Sequence, residues 1–85
     1  MTWGLAIGSR ARRQLRRLSA GERILIDEAL SDMCRNPFGG DLKFLRGLDG
    51  ALRRRVGEWR ILFELDEAKK LIVVAAVKRR GSKTY

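Results

Sequence analysis

Trp59-Arg60-Ile61-Leu62-Phe63-Glu64-Leu65 alternates at the period of a β-strand. Trp59, Ile61, Phe63 and Leu65 fall on one side, and Arg60, Leu62 and Glu64 on the other. The first side suits a core and the second carries charge. Working outward, Gly57-Glu58 is a tight connection to Leu52 to Val56, a strand with Arg53 and Arg55 on one face. In the other direction, Asp66-Glu67-Ala68-Lys69 turns the chain into Leu71 to Val77. That stretch is apolar on both faces and reads as a central strand. Leu42 to Arg46 is a further short strand, ended by Gly47 to Gly50, and Lys78 to Tyr85 reads as a polar, basic tail.

Upstream the period changes to that of helices. Ser9 is read as the cap of a helix whose apolar positions are Ala11, Leu15 and Leu18. Arg10, Arg12, Arg13, Arg16 and Arg17 form its basic outer face. Ser19-Ala20-Gly21-Glu22 has the form of a capping box and opens a second helix with Ile26, Ala29, Leu30 and Met33 on one side. Asn36 precedes the only proline, Pro37, so this helix should stop near Arg35. Trp3 to Ile7 reads as a first strand. The order predicts a single α+β domain over residues 1–85: a strand, an antiparallel two-helix hairpin, then three or four strands. The sheet should be mostly antiparallel, with both helices on one face and the other face open.

Composition narrows the chemistry. The 85 residues carry 19 Lys plus Arg against 10 Asp plus Glu, a formal net charge of +9. That excess favours a polyanionic partner. A hydrophobic content of 45% is enough for a packed core and too much for a disordered basic tail. There is no histidine and one cysteine, Cys34, so His-based acid–base catalysis and Cys- or His-cluster metal sites are excluded, and no cofactor is expected. The single thiol and the absence of an export signal or an apolar run of membrane-spanning length fit a cytoplasmic protein with no membrane partner.

The basic residues fall into two groups. One is the first helix. The other is spread over the late strands and tail: Lys43, Arg46, Arg53, Arg54, Arg55, Arg60, Lys78, Arg79, Arg80 and Lys83. In an antiparallel sheet Arg53, Arg55, Arg60 and Arg79 are expected to converge on the open face, where guanidinium groups repel unless an anion such as phosphate neutralises them. Solvated charges that protect strand edges are the alternative. Arg60 interrupts an apolar strand, so it needs solvent or a partner; Glu64, two positions along, is one choice and a bound anion the other. Tyr85 is the only tyrosine and the last residue. Beside arginines its phenol suits proton transfer, and a loose terminus is the alternative. Trp3, Trp59 and Cys34 read as core, and Asp27, Glu28 and Asp32 as the solvated side of the second helix.

These features resemble the RelE/ParE superfamily of toxin proteins, in particular its RelE-like mRNA-interferase branch. The resemblance rests on a first strand followed by Ser9-Arg10-Ala11-Arg12-Arg13-Gln14-Leu15-Arg16-Arg17-Leu18, and on Asn36-Pro37 before Asp41-Leu42-Lys43-Phe44-Leu45-Arg46-Gly47. Its strongest part is the gapless run Arg53-Arg54-Arg55-Val56-Gly57-Glu58-Trp59-Arg60-Ile61-Leu62-Phe63-Glu64-Leu65-Asp66, together with the basic tail ending in tyrosine.

The resemblance implies two helices packed on a twisted sheet, metal-independent cleavage of mRNA in the ribosomal A site, and an acidic antitoxin that suppresses it. Carried over by motif, Arg60 matches the arginine on the scissile phosphate. Arg79 matches the arginine after the last strand, Tyr85 the tyrosine near the end, and Arg53 a strand lysine; with Arg60 these make up the catalytic set that the resemblance implies. Lys43, Arg46, Arg55, Lys78, Arg80 and Lys83 are then candidate RNA- and phosphate-binding residues. Arg12, Arg13, Arg16 and Arg17 are the candidate contacts to the ribosome and its RNA. A second strand lysine of the family falls on Ala51, a departure that Lys43, Arg55 or Lys83 must offset if the chain is active. The chemistry fits: cleavage by the RNA's own 2′-hydroxyl needs positive charge on the phosphate and proton transfer at two oxygens. A non-enzymatic gyrase inhibitor of the ParE kind and an inactive nucleic-acid-binding module are the alternatives on the same fold.

Overall fold

The computed structural model describes residues 2–45 and 50–79. In chain order the elements are β1 (Gly4–Ile7), α1 (Ser9–Arg16), α2 (Ala20–Arg35), β2 (Asp41–Phe44), β3 (Ala51–Val56), β4 (Trp59–Asp66) and β5 (Leu71–Arg79). The strands form one five-stranded sheet in the order β1-β5-β4-β3-β2. β1 runs parallel to β5, and the other pairs are antiparallel. This is the expected α+β arrangement, with four strands after the helices.

Local chemistry sets the boundaries. The Ser19 hydroxyl accepts from the Glu22 N–H at 3.3 Å, and the Ser19 N–H donates to Glu22 Oε1 at 2.9 Å, so α2 opens on the expected capping box. It ends at Arg35, with Asn36 extended before Pro37. The start of α1 differs from expectation: Gly8 is the cap and Ser9 is already helical, with no side-chain cap. The reason is the sheet. The Gly8 N–H bonds the Val74 carbonyl at 2.9 Å, so the chain stays extended to Gly8, and a Cβ there would lie 3.1 Å from that oxygen. Between β3 and β4, Gly57 takes a φ of +58°, as the first residue of a II′-like two-residue hairpin turn requires.

Ala11 and Leu15 of α1 and Ile26, Ala29, Leu30 and Met33 of α2 share one buried cluster with Leu52, Ile61, Phe63, Ile72, Val74 and Val77. Both helices therefore cover the same sheet face. Each fully buried side chain such as Phe63 contributes roughly 1.5–3 kcal/mol. β5 lies between β1 and β4, which explains its apolar character on both faces.

Two features of β5 were not expected. The strand runs on through Lys78 and Arg79, which pair with Arg60 and Trp59 in a ladder as long as β4 allows, so these two residues are not tail. A bulge also interrupts the register: Leu62 faces Ala76 but Phe63 faces Val74, leaving Ala75 extra. The bulge is what allows Val74 and Val77, three positions apart, both to enter the core. Beyond the end of β1, the Val77 N–H donates to Gln14 Oε1 of α1 at 2.6 Å, closing the sheet edge there. Among the described residues no helix is long and apolar enough to cross a membrane.

Candidate nucleic-acid interface

The face away from the helices is built by strand register. Asp41 pairs with Arg55, Arg55 with Arg60, and Arg60 with Lys78, so four strands place these residues in one row. The adjacent row is Lys43, Arg53, Leu62 and Ala76. Cross-strand neighbours on one face lie about 4.5–5.5 Å apart at Cβ, where like charges destabilise each other. Arg55, Arg60 and Lys78 thus stand side by side, with Lys43 and Arg53 next to them. Strand alternation brings together residues separated by up to 35 positions in sequence, from Lys43 to Lys78.

The environments within this patch differ. Arg55 and Lys43 are exposed, and Arg60 is half-buried. Arg55 Nε donates to the Gly57 carbonyl at 3.5 Å. Lys78 is only 5% exposed. Burial, and then the positive charge of Arg10, hold its amine below the ordinary lysine range. Arg53 Nη2 lies 3.4 Å from Asp41 Oδ1. Ala51 is on the same face, opposite Glu64.

Arg79 does not join this set, contrary to expectation. It pairs with Trp59, whose side faces the helices. Its guanidinium lies 3.6 Å from Glu22 and 5.5 Å from the Trp59 ring centre. The β5 bulge is the cause: a regular strand with Val74 in the core would turn Arg79 to the open face. Glu22 at this pair is held below the ordinary carboxylate range, first by the Ser19 N–H, then by the Ser19 hydroxyl and by Arg79. Arg54 also faces the helices. It lies 3.9 Å from Asp32 and packs over Gly40, where a Cβ would come within 2.8 Å of its guanidinium and the φ is +74°.

The helix-1 arginines are separate from the sheet patch in the chain. Arg12, Arg13, Arg16 and Arg17 are all exposed. The first three line an open groove of about 410 Å³ with Ile7 and Ser9, and Arg12 donates to the Ile7 carbonyl at 3.4 Å. Arg46, Arg80, Lys83 and Tyr85 lie outside the described residues. Trp3, Trp59 and Cys34 are packed against the core, as expected. Asp41 is missing from the expected patch because the sequence reading begins that strand at Leu42, whereas β2 begins at Asp41. Its place two residues before Lys43 was the available signal.

Comparison with protein-family models finds no match, and none is found among curated proteins. Solved structures give another answer. A chain of the RelBE2 toxin–antitoxin complex of Mycobacterium tuberculosis superposes with a TM-score of 0.83 at 27% identity, over 94% of this chain and 100% of that one. The chain belongs to the RelE-like toxin superfamily. The archaeal RelE–RelB complex of Pyrococcus horikoshii OT3 gives a TM-score of 0.82 at 22% identity, over 95% of this chain and 98% of that one. The isolated RelE toxin of E. coli gives 0.80 at 19% identity, over 96% and 88%. The last two likenesses speak to the RelE-like fold alone. This fold leaves one sheet face clear of its helices, and in this chain that face carries the cation rows.

Proposed function

We propose that the chain is the toxin of a toxin–antitoxin pair and an endoribonuclease that cuts mRNA in the ribosomal A site. The observation that supports this reading most is the row Arg55–Arg60–Lys78, flanked by Lys43 and Arg53, on the sheet face away from the helices. Five cations gathered at strand spacing raise the local positive potential, and backbone phosphates are anions suited to meet it.

The 2′-hydroxyl of the RNA loses its proton and its oxygen attacks the adjacent phosphorus. The bond from phosphorus to the 5′-oxygen breaks, and that oxygen takes up a proton. The products are a cyclic 2′,3′-phosphate and a 5′-hydroxyl. Arg60 and Arg55 stabilise the charge that grows on the phosphoryl oxygens, the role that dominates in such reactions. Arg53, Lys43 and Lys78 hold flanking phosphates. Lys43, directly across from Arg53, offsets the alanine at position 51. Tyr85 serves proton transfer on the strength of its motif match, and Arg46, Arg80 and Lys83 add RNA contacts. Arg79 acts here only if it leaves Glu22. Arg12, Arg13, Arg16 and Arg17 meet ribosomal RNA. An acidic antitoxin is the natural partner of so basic a chain, and the RelBE2 and RelE–RelB structures are themselves toxin–antitoxin complexes.

The test is cleavage of mRNA on programmed ribosomes. Arg60→Ala should lower the rate by about 10²–10³-fold, and Tyr85→Phe should also impair it. Full activity in both variants would remove the catalytic assignment. Intact mRNA with inhibited gyrase supercoiling would favour the ParE-like alternative.

A further inference from the structure

Asp41 is the one carboxylate among the described residues of the two cation rows. It lies diagonally from Arg53, and its Oδ1 is 3.4 Å from Arg53 Nη2. The partners are unequally placed. The Arg53 side chain is 15% exposed and that of Asp41 57%. Arg53 Nε is buried and has no hydrogen-bond partner among the described residues. A guanidinium offers five N–H donors, and this one spends few of them. A long contact to a solvent-washed carboxylate is weak and easily given up. A phosphodiester carries the same charge, and its two free oxygens match the guanidinium fork.

We propose that Asp41 is an internal stand-in for phosphate: its carboxylate occupies the Arg53 guanidinium before RNA arrives and yields that place to a backbone phosphate. This rests on reading the open face as RNA-binding. Arg55, the direct cross-strand neighbour of Asp41, is engaged instead by the Gly57 carbonyl, so the competition centres on Arg53. Asp41 thus limits how tightly the face holds RNA. The opposite role, a carboxylate that positions Arg53 for substrate, makes the opposite prediction.

The experiment uses the full chain and a fluorescent 2′-O-methyl oligoribonucleotide, which cannot be cleaved, with binding read by anisotropy. Asp41→Asn should bind about threefold tighter, within the roughly twofold to fivefold that an exposed ion pair is worth. Asp41→Ser should agree, and thermal melting should show both variants folded. Glu67→Gln, in the turn beyond the far end of β4, removes a charge without the contact and should gain less. In an Arg53→Gln background, Asp41→Asn should gain no more than that control. Unchanged or weaker binding by Asp41→Asn overturns the inference, as does a gain that survives Arg53→Gln. If the unsubstituted chain and every variant fail to bind the oligonucleotide, the RNA reading itself falls and takes the inference with it.

Discussion

Lys78 is buried beside Arg60 and feels the charge of Arg10, and both conditions disfavour its charged form. In the unfolded chain the same amine titrates near 10.5. Between its lowered folded value and 10.5 the unfolded chain binds more protons, so stability rises with pH through that window. Below the window the amine is charged in both states, and the cost of burying it is fully felt. Lys78→Met removes that cost. The variant should be more stable than the native chain in urea denaturation at neutral pH, with the difference shrinking as pH approaches 10.5. A difference independent of pH would refute the account. The same substitution should weaken oligonucleotide binding if Lys78 meets phosphate, a trade of function for stability found at many sites.

At the scale of elements, α1 does more than cover the core. β1 ends at Ile7 while β5 continues to Arg79, which leaves the β5 edge beyond β1 in need of acceptors. Gln14 supplies one to the Val77 N–H at 2.6 Å. Gln14→Ala should orphan that part-buried donor and destabilise the fold by about 1–3 kcal/mol, seen as a lower urea midpoint. No loss would mean that water or another group replaces the amide. This contact was not legible in the sequence, where Gln14 is one polar residue on a helix of arginines. The elements themselves were legible, because Ser19 and Glu22 announce α2 and the alternation from Trp59 to Leu65 announces β4. Arg53, Arg55 and Arg60 could be placed on one face by parity alone. Arg79 could not. Its side depends on the bulge at Ala75, which arises from β4–β5 pairing and leaves no mark in a run of Val and Ala. Ending β5 at Val77 also hid Lys78, whose burial follows from a ladder two residues longer than its apolar stretch.

Over the whole molecule the +9 charge is unevenly spread. Glu22, Asp27, Glu28 and Asp32 all sit on α2, and three of them pair with arginines: Glu22 with Arg79, Asp27 with Arg23, and Asp32 with Arg35 and Arg54. The open sheet face and the exposed side of α1 are thereby left as two basic surfaces. Their proposed use by RNA can be separated by salt, since each phosphate neutralised on a single strand contributes about −0.7 to the slope of log K against log salt. Among the described residues, a short oligonucleotide held on the sheet face alone meets at most Lys43, Arg53, Arg55, Arg60 and Lys78, one of them reluctant to carry charge and one shared with Asp41. These five should contribute between about −2 and −3.5 to the slope. Arg55→Gln should make it shallower by about 0.7, while Arg13→Gln on α1 should leave it unchanged. A steeper slope that responds to Arg13→Gln would mean that one strand spans both surfaces. In that case the proposed division of labour between the sheet face and α1 would have to be abandoned.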